Sequence, residues 1–281
     1  MFDRVGDVSD GRDADRGQGV RGRSGVRGKR VLVTGGTRGL GEQIVRLLAA
    51  EGALVATCAR TAGDLEALRG SLGAPDSGRL FTQALDVTEP ERLEDFVTAA
   101  ARRFGGLDGV VASAGGSRGR SLERSDVKDW VATWELNVGH TARLVRAAVP
   151  HLRAAGGGSV VVISSISGWK PGPDAQYGSA KSAQIHLAAS LARELGPDGI
   201  RVNAVSPGSM LIPGRRWDRM RTEDPGTFAA FTLAELPGGR PVAPYEVARV
   251  VAFLLSDWSS GISGANLPVD RAQNAPSPDG Y

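Results

Sequence analysis

The sequence predicts an α/β fold: a doubly wound parallel sheet with helices on both faces, built as a single domain. Three observations carry that expectation. Short β-prone apolar runs alternate with amphipathic stretches at helical spacing, the pattern of strands joined by covering helices. The first run passes directly into the glycine-rich turn Gly35-Gly36-Thr37-Arg38-Gly39-Leu40-Gly41. At 281 residues the chain is long enough for one large domain with a full core.

Composition excludes several function classes. The formal net charge is +3, with lysines and arginines spread along the chain, so neither nucleic acid nor an anionic membrane is expected as a partner. Cys58 is the only cysteine, which rules out an internal disulfide and leaves zinc without its usual thiolates. His140, His151 and His186 lie in helical stretches without ligand spacing, and no metal is expected. No apolar run reaches the length of a membrane span, the N-terminus lacks the hydrophobic core of a signal peptide, and a cytoplasmic protein is expected.

Residues 1–28, rich in Gly, Arg and Asp, carry almost no side chains to bury and are expected to be a disordered tail. The catalytic domain is expected over residues 29–270. Its first strand spans residues 30–34, and after the glycines Leu40, Ile44, Leu47 and Leu48 recur at helical spacing up to Gly52. A backbone without Cβ atoms can turn tightly, approach a diphosphate and aim the helix N-terminus at it. The turn therefore reads as a dinucleotide site lined by Gly35, Thr37, Arg38, Gly39, Leu40 and Gly41. The second strand, residues 54–59, ends at Arg60 and Thr61. An acid at this tip would hold the ribose 2′-hydroxyl of NAD, whereas an arginine suits a 2′-phosphate. With Arg60 there and Arg38 in the loop, NADP(H) is expected.

A third strand over 80–87 places Asp86 where it can accept from an adenine amino group. Helix 91–104 carries Leu93, Phe96, Val97, Ala100 and Phe104 on one side, and a fourth strand, 109–112, leads into Ser113-Ala114-Gly115-Gly116. Residues 126–155 read as a long helix interrupted near Asn137, which serves as a local backbone partner or holds a water. The strand over 159–163 delivers Ser165 to a strand tip, where substrates bind in such sheets. Tyr177 and Lys181 lie four residues apart on the next helix and share a face. A fixed positive charge lowers a phenol's pKa from its usual ~10, so Tyr177 can exchange a proton with a substrate oxygen.

After the strand over 200–205, residues 209–240 mix Met210, Trp217, Phe228 and Phe231 with Arg215, Arg216, Arg219 and Arg221 without regular periodicity. They read as a lid. Trp169 and Trp217 are expected to flank its mouth as a joint apolar wall for the substrate, with Arg215 and Arg216 placed to meet an acidic or carrier-linked one. A helix over 242–257 and a strand over 265–269 follow, then a loose polar tail, 271–281.

The ordered set Thr34-Gly35-Gly36-Thr37-Arg38-Gly39-Leu40-Gly41, Asn137, Ser165, Tyr177-Gly178-Ser179-Ala180-Lys181 and Ser206-Pro207-Gly208 resembles the short-chain dehydrogenases/reductases over residues 29–270. The resemblance implies a Rossmann-type sheet and a ketoreductase, similar to 3-oxoacyl carrier-protein reductases, acting on a small-molecule carbonyl or alcohol. By position, Tyr177 is then the general acid, Lys181 binds the nicotinamide ribose and lowers the tyrosine pKa, and Ser165 bonds the substrate oxygen. Asn137 holds a water that links Lys181 to solvent. Val87, Ala114, Gly115, Pro207, Gly208 and Ile212 meet the cofactor together with Tyr177 and Lys181. A homotetramer or dimer is implied, with residues 126–155 and 177–195 packing between subunits. An NAD-linked alcohol dehydrogenase and a non-catalytic dinucleotide sensor are the alternatives. Three departures stand out: the family's Asn-Asn-Ala-Gly is Ala112-Ser113-Ala114-Gly115, Ile212 stands near a usual threonine, and Arg271-Ala272 replaces Gly-Gly. Ser164 is an alternative to Ser165.

Overall fold

The computed structural model describes residues 25–275 apart from Pro75, Arg120 and Pro173, so most of the expected N-terminal tail and the last six residues lie outside the described residues. Valine-rich and alanine-rich runs build one sheet. Its strands are β1 (Arg30–Thr34), β2 (Leu54–Ala59), β3 (Leu80–Ala84), β4 (Gly109–Ala112), β5 (Gly158–Ile163), β6 (Ile200–Pro207) and β7 (Asn266–Val269). All pair in parallel, in the order β3-β2-β1-β4-β5-β6-β7. The order reverses between β1 and β4, and ligands in open parallel sheets bind in the crevice beyond such a reversal.

Successive residues of each strand feed opposite faces. Leu32, Val160, Val162, Val202 and Ala204 join one core with α3 (Pro90–Phe104), α5 (His140–Ala154) and α6 (Ala175–Leu195). Val31, Val33, Val111, Val161 and Val205 join the other, with α1 (Gly39–Ala50), α2 (Ala62–Ser71) and α9 (Pro244–Leu255). Side chains such as Phe96 and Leu144 are fully buried, each worth about 1.5–3 kcal/mol over exposure.

The remaining helices keep one expectation and refine another. The 126–155 region divides into α4 (Val127–Trp134), a widened π turn over Glu135–Gly139, and α5, so the interruption falls at Asn137. Residues 209–240 contain two helices, α7 (Arg216–Glu223) and α8 (Pro225–Glu235). The local signal for α8 is Asp224 accepting from the Thr227 amide, with Pro225 at the first helical position. β3 stops short of Val87 because the Asp86 carboxylate accepts from both the amide and the hydroxyl of Thr88, folding the chain into a turn.

Both expected tails begin further out. Val26 is fully buried in the second core and the Gly28 amide bonds the Gly52 carbonyl at 2.9 Å, so packing starts before Lys29. Gln273 is buried too, accepting from the Ser209 amide at 2.7 Å and donating to its hydroxyl at 3.0 Å. Arg271 and Ala272 keep φ of 56° and 67°, the left-handed conformation glycine favours. The Asp270 carboxylate holds that turn by accepting from the Ala272 and Asn274 amides.

Candidate active site

The site gathers at the C-terminal tips of β1, β2, β4, β5 and β6. Gly35 turns the chain out of β1 with φ 73°, and a Cβ on Gly41 would lie 2.2 Å from the Gly35 carbonyl oxygen, so neither position accepts a larger residue without rearrangement. The N-terminus of α1 then opens onto the crevice with no side chain capping it, a ready anion site. Arg38 stands at that terminus. Burial lowers its proton affinity, and so does repulsion from Arg215, Arg60 and Arg118, against which Asp64 acts alone. Burial pushes the Asp86 carboxyl up, but the Thr88 bonds, Arg60 and Arg118 together hold it below the usual range. A cradle without Cβ atoms and a group of cations short of anions fit the diphosphate and a phosphorylated ribose of a dinucleotide. Arg118 was not singled out by sequence, since nothing local tied the loop after Gly116 to the tip of β2.

Ile212 lies against the glycine turn, its Cγ2 3.2 Å from where a Gly39 Cβ would stand. Ala114 abuts Gly35 in the same way, across the reversal point. The amide braces missing at Ala112 and Ser113 are supplied differently. Thr34 Oγ1 accepts from the Ser113 and Ala114 amides at 3.0 and 3.1 Å and lies 3.3 Å from His140 Nε2. His140 Nδ1 lies 2.7 Å from the Leu136 carbonyl and donates to it, so Nε2 is the acceptor of the Thr34 proton. Burial brings the pKa of His140 down to about 4, which keeps this tautomer neutral.

Four candidates converge beyond β5. Ser164 is buried and donates to the Lys181 carbonyl at 2.8 Å, which commits it to structure. Ser165 accepts from the Ser167 amide at 3.1 Å and lies near enough to the Tyr177 phenol to lower its pKa, so it is the serine that faces the site. Burial raises the pKa of Tyr177, Asp174 adds to the rise, and Ser165 opposes it. The phenol therefore stays protonated, contrary to the lowered pKa expected from Lys181. The reason is that Lys181 is itself buried, its pKa pulled down to about 7, and its Nζ sits 5.5 Å from the centre of the tyrosine ring. Lys181 Nζ donates to the Ile163 carbonyl at 2.9 Å and to Gln184 Oε1 at 2.8 Å.

Asn137 is fully buried in the π turn. Its side chain donates to the Thr133 and Gly116 carbonyls at 2.7 and 2.8 Å and accepts from the Gly116 amide at 3.2 Å. Its carbonyl accepts from Thr141 Oγ1 at 2.6 Å and from Gln184 Nε2 at 3.0 Å. Two protein donors thus bond the backbone carbonyl of Asn137, the residue expected to hold a water. Gln184 was not singled out by sequence, although a polar residue at the spacing of Ala180 and Ala188 on a buried face is a readable signal.

Trp217 stacks on Phe231 with ring centres 4.0 Å apart, joining α7 to α8, while Trp169 is 37% exposed after the serine turn. No ring contact joins them among the described residues. Lys170 ties the serine side of the mouth to α8 through Glu235. No cluster of potential metal ligands occurs among the described residues, and no helix there is long and apolar enough to cross a membrane.

A family model described as "Enoyl-(Acyl carrier protein) reductase" matches residues 35–271. The chain is 36% identical to an isoepoxydon dehydrogenase of Aspergillus clavatus over 249 residues, covering 87% of this chain and 94% of that one. It is 34% identical to a 3-oxoacyl-[acyl-carrier-protein] reductase of Escherichia coli over 244 residues, covering 86% and 96%. This chain belongs to the short-chain dehydrogenase/reductase family. Among solved members of the family, L-sorbose reductase from Gluconobacter frateurii, complexed with NADPH and L-sorbose, superposes with a TM-score of 0.82 at 30% identity, covering 88% of this chain and 97% of that one. Short-chain dehydrogenases/reductases are nicotinamide-dependent oxidoreductases, and this member's relatives interconvert ketones and alcohols.

Proposed function

We propose that this short-chain dehydrogenase/reductase uses NADPH to reduce a ketone to a secondary alcohol, on a 3-oxoacyl or polyketide-like substrate. One observation carries the reading: the half-buried Tyr177 phenol, kept protonated by its surroundings, lies beside Ser165 and shares a helix face with Lys181. The bound nicotinamide supplies the hydride. Tyr177 gives its proton to the carbonyl oxygen as charge develops there, and Ser165 orients that oxygen with a hydrogen bond. Lys181, held by the Ile163 carbonyl and Gln184, has a donor left for the nicotinamide ribose. A phenol that holds its proton favours reduction at neutral pH, because the reverse reaction needs the phenolate. At the other end of the cofactor Arg38, Arg60 and Arg118 support NADPH over NADH, since a 2′-phosphate relieves their mutual repulsion. The names of the relatives, a 3-oxoacyl-[acyl-carrier-protein] reductase and an isoepoxydon dehydrogenase, support the substrate class.

The test is NADPH oxidation against ketones, quinones and 3-oxoacyl thioesters. Tyr177→Phe is expected to lower kcat by about 10²–10⁴-fold while leaving cofactor affinity within about twofold. Turnover that survives the substitution would remove Tyr177 from its role, and turnover with NADH alone would reverse the cofactor assignment.

A further inference from the structure

We propose that Gln184 is a positioning residue for this enzyme: its side-chain amide bridges the Lys181 ammonium and the Asn137 carbonyl, in the place where a relaying water was expected. Only the role of Lys181 in turnover depends on the reductase reading above, since the bridge is a property of the free protein.

Gln184 is fully buried and every polar atom of its side chain is used. Oε1 accepts from Lys181 Nζ at 2.8 Å, while Nε2 donates to the Asn137 carbonyl and to Thr141 Oγ1, each at 3.0 Å. Thr141 passes its own proton to the same carbonyl at 2.6 Å. The amide cannot be reversed, because that would set its NH2 against an ammonium and its oxygen against a carbonyl, leaving buried groups unsatisfied. With a second N–H on the Ile163 carbonyl, Lys181 keeps one donor for a ligand on the side bordered by Gly115, where a Cβ would stand 3.2 Å from Nζ.

An amide carries its donor and its acceptor on different atoms, so it holds the ammonium without handing a proton along. No proton therefore passes through Gln184 from Lys181 to the Asn137 carbonyl. The charge on Lys181 is also supported by neutral oxygens alone. The titratable groups facing it are Tyr177 on its own helix and His140 from α5, while β5 presents the Ile163 carbonyl and the loop after β4 presents Gly115. No carboxylate figures among the influences on its titration, which burial dominates.

The full chain contains four lysines, Lys29, Lys128, Lys170 and Lys181, so NMR titration of the 13Cε-lysine-labelled protein reads Lys181 directly, with Lys181→Met as the assignment control. In the wild type its midpoint is expected well below the ordinary lysine value. Gln184→Leu removes an acceptor and is expected to move the midpoint down by about one unit, a tenfold change in the ratio of charged to neutral amine. Gln184→Glu, nearly isosteric, sets a carboxylate against the ammonium and is expected to move it up by about as much. The alkaline limb of kcat/KM for NADPH-dependent reduction is expected to follow in the same two directions, which a merely structural residue would not produce. If Gln184→Leu fails to fold, Gln184→Glu decides alone. Unchanged midpoints in the folded variants overturn the bridge. Displaced midpoints with no turnover on any carbonyl support the bridge and overturn the reductase reading.

Discussion

Arg38, Arg60, Arg118 and Arg215 come from four different loops, yet each influences the same small region at the tips of β1 and β2. Like charges gathered this way are unfavourable until an anion arrives, which makes them a selectivity device rather than a stabilising one. Arg60→Ala is expected to weaken NADPH binding by about 10–100-fold, the loss of one charge-assisted contact, and to leave NADH affinity within about twofold. Fluorescence titration with both dinucleotides checks this. Equal losses for the two would mean that Arg60 serves the fold and does not read the 2′-phosphate. Arg60 and Arg38 were legible because they sit at positions whose chemistry is set by the glycine turn and the strand end. Arg118 was not, because it acquires its meaning from a neighbour distant in sequence, Asp86; Gln184 stood out as a polar residue on a buried face, but its tie to Asn137 exists only in the fold.

At the scale of elements, the brace between β1, the loop after β4, and α5 shows how one family feature can be lost and replaced. Thr34, on the first strand, gathers the Ser113 and Ala114 amides and hands its proton to His140, a buried histidine with no exposed surface. The folded pKa of about 4 lies below the ordinary histidine value of 6.5, so between these values the unfolded chain binds more protons than the folded one. Stability conferred by neutral His140 is therefore complete above about pH 6.5 and is lost as pH falls toward about 4. Urea unfolding at pH 7 and pH 4.5 should show the wild type losing about 2 kcal/mol more than His140→Gln, which cannot titrate. Parallel losses in both proteins would mean that His140 is not the acid-sensitive group.

At the scale of the whole molecule, the sheet presents the reaction groups along one edge while α4 faces away from the core with an apolar stripe. Val127, Val131 and Trp134 recur at helical spacing and are 77%, 55% and 46% exposed. We infer that a second copy of the chain covers this stripe, as the family resemblance of residues 126–155 led us to expect. Sedimentation of the wild type should give a dimer or tetramer, and Trp134→Glu should shift it to smaller species with turnover retained in part; an unaltered mass for the variant would place the interface elsewhere. By itself the sequence determined the alternation of strands and helices, the glycine turn, and the Ser165, Tyr177 and Lys181 set. Those signals are local: periodicity, the absence of a Cβ, and a four-residue spacing on one helix. Only the tertiary structure decided that residues 209–240 fold as two helices stacked through Trp217 and Phe231, that Tyr177 keeps its proton, and that Gln184 meets both Lys181 and Asn137. Burial and hydrogen bonding between residues far apart in the chain set these outcomes, and neither exists until the sheet has brought their elements together.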